Sequence, residues 1–248
     1  MPNLRIEENL DALNCAYLPE LIKSAQRAID ERGRFLWVLS GGSTPKKLLS
    51  LLAEPQHQKQ IAWDRVHLFW GDERHVPPSH PESNYRMAKE ALISRVPIPE
   101  SNVHRIIAEN ADAFEVARDY QARLDVVVGA GPSGFPQFDV VLLGMGPDGH
   151  TASLFPGTDI VKNGCVGWVS SVHVEKFEAD RITLCPGVFN AAREVNFLIA
   201  GADKAPALRA VLEGPVDPLT FPSQLIHPRP GCLTFWVEKS ATSLLRSV

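Results

Sequence analysis

Three polar loops of this 248-residue chain each follow a short apolar run, and each carries residues suited to chemistry. The first loop, 40–45, contains Gly41, Gly42, Ser43 and Thr44 and precedes a helical pattern. Glycine lets a backbone approach a ligand closely, and the N–H groups at a helix N-terminus attract anions. We expect Ser43 or Thr44 to cap that helix, with Pro45 in its first turn. The loop is a candidate for binding an anion or a developing oxyanion, and an ordinary strand-to-helix turn is the alternative.

The second loop, 71–77, places three successive charged residues between an apolar run and a proline. Arg74 has a planar guanidinium that can bind a phosphate through two parallel hydrogen bonds. Asp72 or Glu73 could orient Arg74 or a substrate hydroxyl. The alternative is a solvated loop in which these acids and the arginine pair with one another.

The third loop, 144–150, has glycine at alternate positions near its start and ends on a histidine. Histidine is the residue type whose unperturbed pKa lies nearest neutrality, so His150 is a candidate general base, with Asp148 beside it. These two residues could instead be metal ligands, with His75 or Asp72 as a third. Because the chain has no compact metal signature such as His-Glu-x-x-His, we expect no metal.

Two further cations fall near the ends of other apolar runs. Lys204 follows the run 195–200, at the entry of the next helical pattern, and Arg181 opens another strand after a polar segment. The ammonium of Lys204 could meet an anion in the same cleft, whereas the alternative is a solvent-exposed lysine without a ligand. Arg181 is a further candidate cation. The sequence has no Gly-x-Ser-x-Gly elbow and no cysteine in these loops, which argues against a serine or thiol nucleophile.

The apolar runs alternate with helical patterns along most of the chain. We predict strands at 34–40, 66–70, 138–143, 181–185, 195–200 and 233–237. We predict helices at 45–53, 84–94, 111–126, around Phe189, at 205–212 and at 241–245. Such alternation predicts a Rossmann-like α/β fold, a mostly parallel sheet with helices on both faces, whose ligands bind beyond the carboxyl ends of the strands. We expect one domain over 1–248, with a loop at 129–137 and a flexible loop beside the site within 156–180.

Composition and charge exclude several classes of protein. The chain is 44% hydrophobic, and its net charge of −4 (25 basic against 29 acidic residues) lacks the basic field of nucleic-acid binders. No run approaches the ~20 apolar residues of a membrane span, and the first residues lack an apolar signal core. We therefore expect a cytoplasmic monomer without a nucleic-acid or membrane partner. We also expect Cys15, Cys165, Cys185 and Cys232 to be buried, reduced thiols.

Five stretches, in chain order, resemble the 6-phosphogluconolactonases of the glucosamine-6-phosphate isomerase/6-phosphogluconolactonase family. They are 39–45, 70–77 with 83–85, 143–156, 181–184 and 201–204. The resemblance implies hydrolysis of 6-phospho-D-glucono-1,5-lactone in the oxidative pentose phosphate pathway, without a metal or organic cofactor. It also implies the α/β fold shared with glucosamine-6-phosphate deaminases and related to ribose-5-phosphate isomerases.

The same resemblance implies individual roles. The family's general-base histidine matches His150 and its accompanying acid matches Asp148. Its phosphate-binding arginine and lysine match Arg74 and Lys204. Its glycine-rich first loop matches Gly41, Gly42, Ser43 and Thr44, and we add Asp72 and Arg181 as candidates for binding the substrate. The segment 157–180 contains no matching motif.

Two other functions remain compatible with these residues. A sugar-phosphate isomerase or deaminase on the same fold needs a carboxylate that moves a proton between C1 and C2, and Asp72 is the candidate for that step. A sugar-phosphate sensor without turnover is the more distant alternative, because the sequence offers no DNA-reading element. Assays with fructose-6-phosphate or glucosamine-6-phosphate would separate the first alternative from a lactonase.

Overall fold

The computed structural model describes residues 2–246 of the chain. The strands are β1 (Asn3–Glu7), β2 (Phe35–Leu39), β3 (Val66–Trp70), β4 (Asp72–Arg74), β5 (Val103–His104), β6 (Val140–Leu143), β7 (Val169–Val174), β8 (Ala179–Leu184), β9 (Glu194–Ile199) and β10 (Cys232–Glu238). The helices are α1 (Leu10–Arg32), α2 (Ser43–Leu52), α3 (Pro55–Gln58), α4 (Asn84–Ala91), α5 (Ala113–Val127), α6 (Asp159–Lys162), α7 (Pro186–Ala191) and α8 (Ala205–Glu213).

The main sheet of the described residues is parallel throughout, in the order β1-β10-β9-β6-β2-β3-β5. All residues of β2 and β6 are buried, although successive side chains of a strand point to opposite faces. Both faces of the sheet are therefore covered, as continuous apolar strands require. The predicted α/β class with helices on both faces is confirmed.

A second, antiparallel sheet in the order β4-β8-β7 lies at the carboxyl edge of the main sheet. This differs from the sequence analysis in two places. Residues 72–74 form a strand and are not a loop, and β8 with Arg181 pairs in this small sheet instead of the parallel one. The segment 156–180 contains α6 and β7, and its part beside the site is the turn Glu175–Phe177; the flexibility expected there stays a prediction. Pairing partners far along the chain, which periodicity does not reveal, produce this sheet.

Two elements at the start of the chain, β1 and the long helix α1, are absent from the predicted strands and helices. The signals for α1 were nevertheless local. The side chain of Asn9 caps its first turn and Gly33 ends it in a left-handed conformation, and the helix runs without a break through Pro19. Its buried face repeats at helical spacing and packs against β2 and β10.

Near the end of the chain, the predicted helix 241–245 is wrong, because only a 3₁₀ turn, Lys239–Thr242, forms there.

The cysteines also differ from expectation. Cys165 and Cys185 form a disulfide, while Cys15 and Cys232 are free and exposed. The backbone N–H of Cys185 donates to the carbonyl of Trp168 at 2.9 Å, which aligns the segment before β7 with the end of β8. The expected reduced state is confirmed for Cys15 and Cys232 and wrong for Cys165 and Cys185, whereas the expected burial is confirmed only for Cys185.

The extent of the domain stays a prediction. The expected domain 1–248 includes Met1, Ser247 and Val248, which lie outside the described residues. Within the described part of the chain, no helix combines the length and the apolar character needed to cross a bilayer.

Candidate active site

A cleft of about 270 Å³ opens where β2, β3, β6 and β9 end. The predicted residues that line it are Gly41, Gly42, Ser43, Thr44, Asp72, Arg74, His150, Arg181 and Lys204. The structure thus brings together residues from five separate stretches of chain, as a parallel sheet does with the loops at its carboxyl edge. Lining residues that the sequence analysis missed are Asn84, Met145 and Ala152, with Leu198 and Ala200 at the end of β9.

The first wall of the cleft is the N-terminus of α2. The helix begins at Ser43, and its N-cap is Gly42 at φ 102°, with no capping hydrogen bond from a side chain. The predicted cap by Ser43 or Thr44 is therefore wrong, because both residues lie inside the helix, whereas Pro45 does lie in the first turn. The N–H groups of Ser43 and Thr44 make no hydrogen bond within residues 2–246, so they are available to a ligand.

Gly41 allows another side chain to enter the same wall. A Cβ atom on Gly41 would lie 1.9 Å from Oδ1 of Asn84, so a larger residue would displace that amide. Asn84 is buried and donates from Nδ2 to the backbone carbonyl of Asp72 at 2.9 Å. The glycine therefore serves close approach between the first loop and the start of α4.

The third loop places His150 against Asp148. Nδ1 of His150 donates to Oδ1 of Asp148 at 2.5 Å, and no hydrogen bond of the described residues uses Nε2. His150 lines the cleft, while Asp148 stands behind it and does not. Such pairing selects the tautomer and leaves Nε2 as the basic nitrogen.

Lys176, Phe155 and Gly146 surround this pair and affect the pKa of Asp148 and the position of the His150 ring. Burial by itself raises the pKa of Asp148, but the hydrogen bonds and charge of His150, with Lys176 behind them, hold that pKa well below its usual range. The ring of Phe155 stacks on the imidazole, with centroids 4.0 Å apart. A Cβ on Gly146 would lie 2.0 Å from Nδ1 of His150, so only glycine leaves room for the ring.

Asp72 stands in the cleft as a fixed carboxylate. It is 6% exposed, and its Oδ2 accepts from Oγ of Ser153 at 2.7 Å. Asn84 donates to Oδ1 from the other side at 3.4 Å. Asp72 therefore has one defined orientation toward the space beside Arg74 and Arg181.

Glu73, which follows Asp72 in the sequence, holds the start of α4 and does not line the cleft. It is 2% exposed and accepts hydrogen bonds from the backbone N–H groups of Arg74, Asn84 and Tyr85 and from Oγ of Ser83. Burial raises the pKa of Glu73, and these backbone hydrogen bonds oppose that rise. Of the two acids considered from sequence, Asp72 lines the cleft, whereas Glu73 ties α4 to β4.

Arg74 and Arg181 face each other across the antiparallel pair of β4 and β8. Both line the cleft, and both have a buried Nε with no hydrogen-bond partner among the described residues. Burial, followed by the charge of Arg74, lowers the pKa of Arg181. Like charges directly opposite in a sheet are destabilising, so this arrangement suits a site that binds an anion between them.

Lys204 supplies a third cation to the lining of the cleft. It ends the 3₁₀ turn Ala202–Lys204, directly before α8, as expected from sequence. Its Nζ lies 2.9 Å from Oδ2 of Asp203, and its side chain is largely buried. The cleft thus collects positive charge in a chain whose net charge is negative.

The alternative metal site does not assemble. Among residues 2–246, no three His, Cys, Asp or Glu side chains lie where they could share a metal ion. Nε2 of His75, one of the third ligands considered, lies 2.6 Å from the carbonyl of Asn110, and Asp72 is held by Ser153 and Asn84.

The turn between β7 and β8 contributes residues that the sequence analysis did not identify. Nζ of Lys176 lies 3.3 Å from Oδ2 of Asp148, and the ring of Phe177 packs edge-on against Phe155. No local pattern marks Lys176, because an exposed lysine in a polar segment is common. Only the hairpin brings it to the site.

Comparisons with known proteins agree on one family. Residues 8–236 match the family model described as glucosamine-6-phosphate isomerases/6-phosphogluconolactonase. A 6-phosphogluconolactonase of Nostoc sp. is 39% identical over 240 residues, which cover 96% of this chain and 95% of the relative. One from Haemophilus influenzae is 38% identical over 207 residues, 84% and 86% of the two chains.

Solved structures agree with this result. A 6-phosphogluconolactonase from Trypanosoma brucei superposes with a TM-score of 0.88, 28% identity and 99% coverage of both chains. A monomeric glucosamine-6-phosphate deaminase superposes with a TM-score of 0.80 at 17% identity, covering 98% of this chain and 99% of its own, a likeness of fold alone.

Proposed function

Because the chain belongs to the glucosamine-6-phosphate isomerase/6-phosphogluconolactonase family, we propose that its cleft hydrolyses 6-phospho-D-glucono-1,5-lactone to 6-phospho-D-gluconate in the oxidative pentose phosphate pathway. One observation carries the proposal. A single cleft contains both a histidine, whose Nδ1 is hydrogen-bonded to a carboxylate, and three cations suited to binding a phosphate. The enzyme is accordingly a carboxylic ester hydrolase.

His150 is the general base in this mechanism. With Nδ1 bound to Asp148, Nε2 removes a proton from water as the water oxygen attacks C1 of the lactone. The tetrahedral intermediate then expels the ring oxygen, which takes the proton back from His150. Asp148 stays ionised throughout and stabilises the imidazolium, and it acts through His150 because it does not line the cleft.

The start of α2 is the candidate oxyanion site. The free N–H groups of Ser43 and Thr44 point out of the helix end, where the helix dipole also favours negative charge. Donors that are already oriented cost little reorganisation when charge develops on the C1 oxygen.

Arg74, Arg181 and Lys204 bind the phosphate at the other end of the substrate. Three cations suit a dianion, and binding energy from this remote group orients C1 toward His150. Asp72, fixed by Ser153 and Asn84, is placed to accept hydrogen bonds from sugar hydroxyls.

The isomerase or deaminase alternative is not favoured. Its candidate base, Asp72, is present in the cleft, but the relatives at 37–40% identity are lactonases by name. The named deaminase shares only the fold at 17% identity.

The test is hydrolysis of the phosphorylated lactone by purified protein, followed as acid release above the spontaneous rate. Catalysis that disappears in His150→Ala supports the proposal. A rate equal to background, together with turnover of glucosamine-6-phosphate or fructose-6-phosphate, would favour the alternative.

We also propose that the protein acts as a cytoplasmic monomer. A phosphorylated sugar does not cross membranes unaided, so its hydrolysis belongs in the compartment that makes it. Two rice relatives are named as chloroplastic, so location differs among relatives. Light scattering after gel filtration and cell fractionation test the two statements.

A further inference from the structure

The carboxylate of Asp148 is held on both of its oxygens. Oδ1 accepts from Nδ1 of His150 at 2.5 Å and, at 3.3 Å, from the backbone N–H of the same residue. Oδ2 lies 3.3 Å from Nζ of Lys176. The backbone around Asp148 is held by hydrogen bonds from the Gly146 N–H to the His150 carbonyl at 2.9 Å and from the Gly149 N–H to the Gly146 carbonyl at 3.0 Å, so the orientation of the carboxylate depends on its side-chain partners. The partner on Oδ2 therefore affects how well Oδ1 faces the imidazole.

Lys176 reaches this position because the hairpin turn that carries it is anchored on the site itself. The turn, Glu175–Phe177, closes through Glu178 in a left-handed conformation at φ 47°. Phe177 lies 5.7 Å from Phe155, the ring that stacks on His150. The guanidinium of Arg181 lies 4.9 Å from the ring of Phe177. These contacts fix the turn beside Asp148.

We propose that Lys176 is a positioning residue of the catalytic pair. By binding Oδ2 of Asp148, it keeps Oδ1 oriented toward Nδ1 of His150. This role rests on the proposed lactonase activity. Lys176 does not line the cleft with Arg74, Arg181 and Lys204, so it is not a fourth phosphate ligand. It acts through Asp148 and affects the rate of the chemical step on any lactone that enters.

Steady-state kinetics of Lys176→Met and Lys176→Arg on 6-phosphogluconolactone and on unphosphorylated glucono-1,5-lactone test this role. Lys176→Met should lower kcat about three- to tenfold on both substrates with KM within about twofold, and Lys176→Arg should retain most of kcat. Lys239→Met is the matched control, since Lys239 pairs with Glu8 outside the site and is 62% exposed against 60% for Lys176. It should behave as wild type.

Two further measurements show whether Lys176 acts through Asp148. In an Asp148→Asn background, Lys176→Met should have no additional effect on the residual rate. The low-field proton NMR signal of the His150 Nδ1–H, assigned by its absence in His150→Ala, should weaken through faster exchange in Lys176→Met and persist in Lys176→Arg. This signal does not depend on turnover, so it separates failure of the positioning role from failure of the lactonase proposal.

Several results would overturn the role. Wild-type kcat in Lys176→Met makes the contact an ordinary surface ion pair. A rise in KM confined to the phosphorylated lactone makes Lys176 a phosphate ligand. Equal losses in Lys176→Met and Lys176→Arg, or a full additional loss in the Asp148→Asn background, would show that it does not act by charge on Asp148.

Discussion

Replacing Arg181 by methionine should weaken the phosphate site and leave the fold intact. Methionine keeps an apolar stem against the neighbouring rings but removes the charge. A hydrogen bond to a charged group contributes about 1.5–3 kcal/mol, so KM for the phosphorylated lactone should rise about ten- to 150-fold. The unphosphorylated lactone lacks the group that Arg181 binds, so its kcat/KM should change little.

The stability of the same variant follows from two opposing contacts. Removing the charge relieves the repulsion between Arg74 and Arg181 across β4 and β8, which is worth about 0.2–1 kcal/mol. It also removes the guanidinium from the rings of Phe155 and Phe177, at about 0.5–1 kcal/mol each. The two lost ring contacts total about 1–2 kcal/mol and exceed the relief of repulsion, so the free energy of unfolding should fall by no more than about 2 kcal/mol.

The assay is a kinetic comparison on both lactones with urea unfolding of each protein. Arg65→Met is the control, because Arg65 is exposed and pairs with Asp64 away from the cleft. Equal losses on the two lactones would refute the phosphate role and place Arg181 at the reacting carbonyl or in the fold. A loss of several kcal/mol in unfolding free energy would assign it to stability.

Three further predictions concern the base, its loop and a remote histidine. His150→Ala should lower kcat about 10²–10⁴-fold on both lactones while the circular dichroism spectrum is unchanged, and near wild-type turnover would eliminate its role as base. Gly146→Ala should approach the same loss, because its Cβ would lie 2.0 Å from the His150 ring and 2.6 Å from Oδ1 of Asp148; full activity would show that the loop relaxes. Burial, with the charge of Arg123, lowers the pKa of His104 from 6.5 to about 4, so between these pH values the unfolded chain holds the extra proton. The free energy of unfolding should therefore fall by about 2–3 kcal/mol from pH 7 to pH 4 through this group. Urea titrations of wild type and His104→Gln over that range measure this fall, and an equal fall in both proteins would contradict it.

Much of the fold was predictable because its signals are local. The runs that form β2, β3, β6 and β9 are apolar at successive positions, and this pattern predicts burial on both faces of a sheet. The loops after them were recognisable from glycine, proline and charge. α1 has equally local signals in Asn9 and Gly33, although it was not among the predicted helices. In the antiparallel sheet only β8 had such a signal, and its pairing with β4 and β7 had none, because strand pairing depends on partners distant in the chain.

The candidate site also combines features with local signals and features that depend on distant partners. The residue types that follow each parallel strand are readable from the sequence, and loops after parallel strands meet at one edge; His150, Asp148, Arg74 and Lys204 follow from that rule. Arg181 does not, because it lies within β8 and reaches the cleft through the antiparallel sheet. The orientation of these side chains depends on tertiary contacts. Ser153 holds Asp72 across 81 positions, and Lys176 reaches Asp148 through a hairpin. A hydrogen bond acts over about 3 Å in space whatever the separation along the chain, so its partners are chosen by the order of strands and not by sequence pattern.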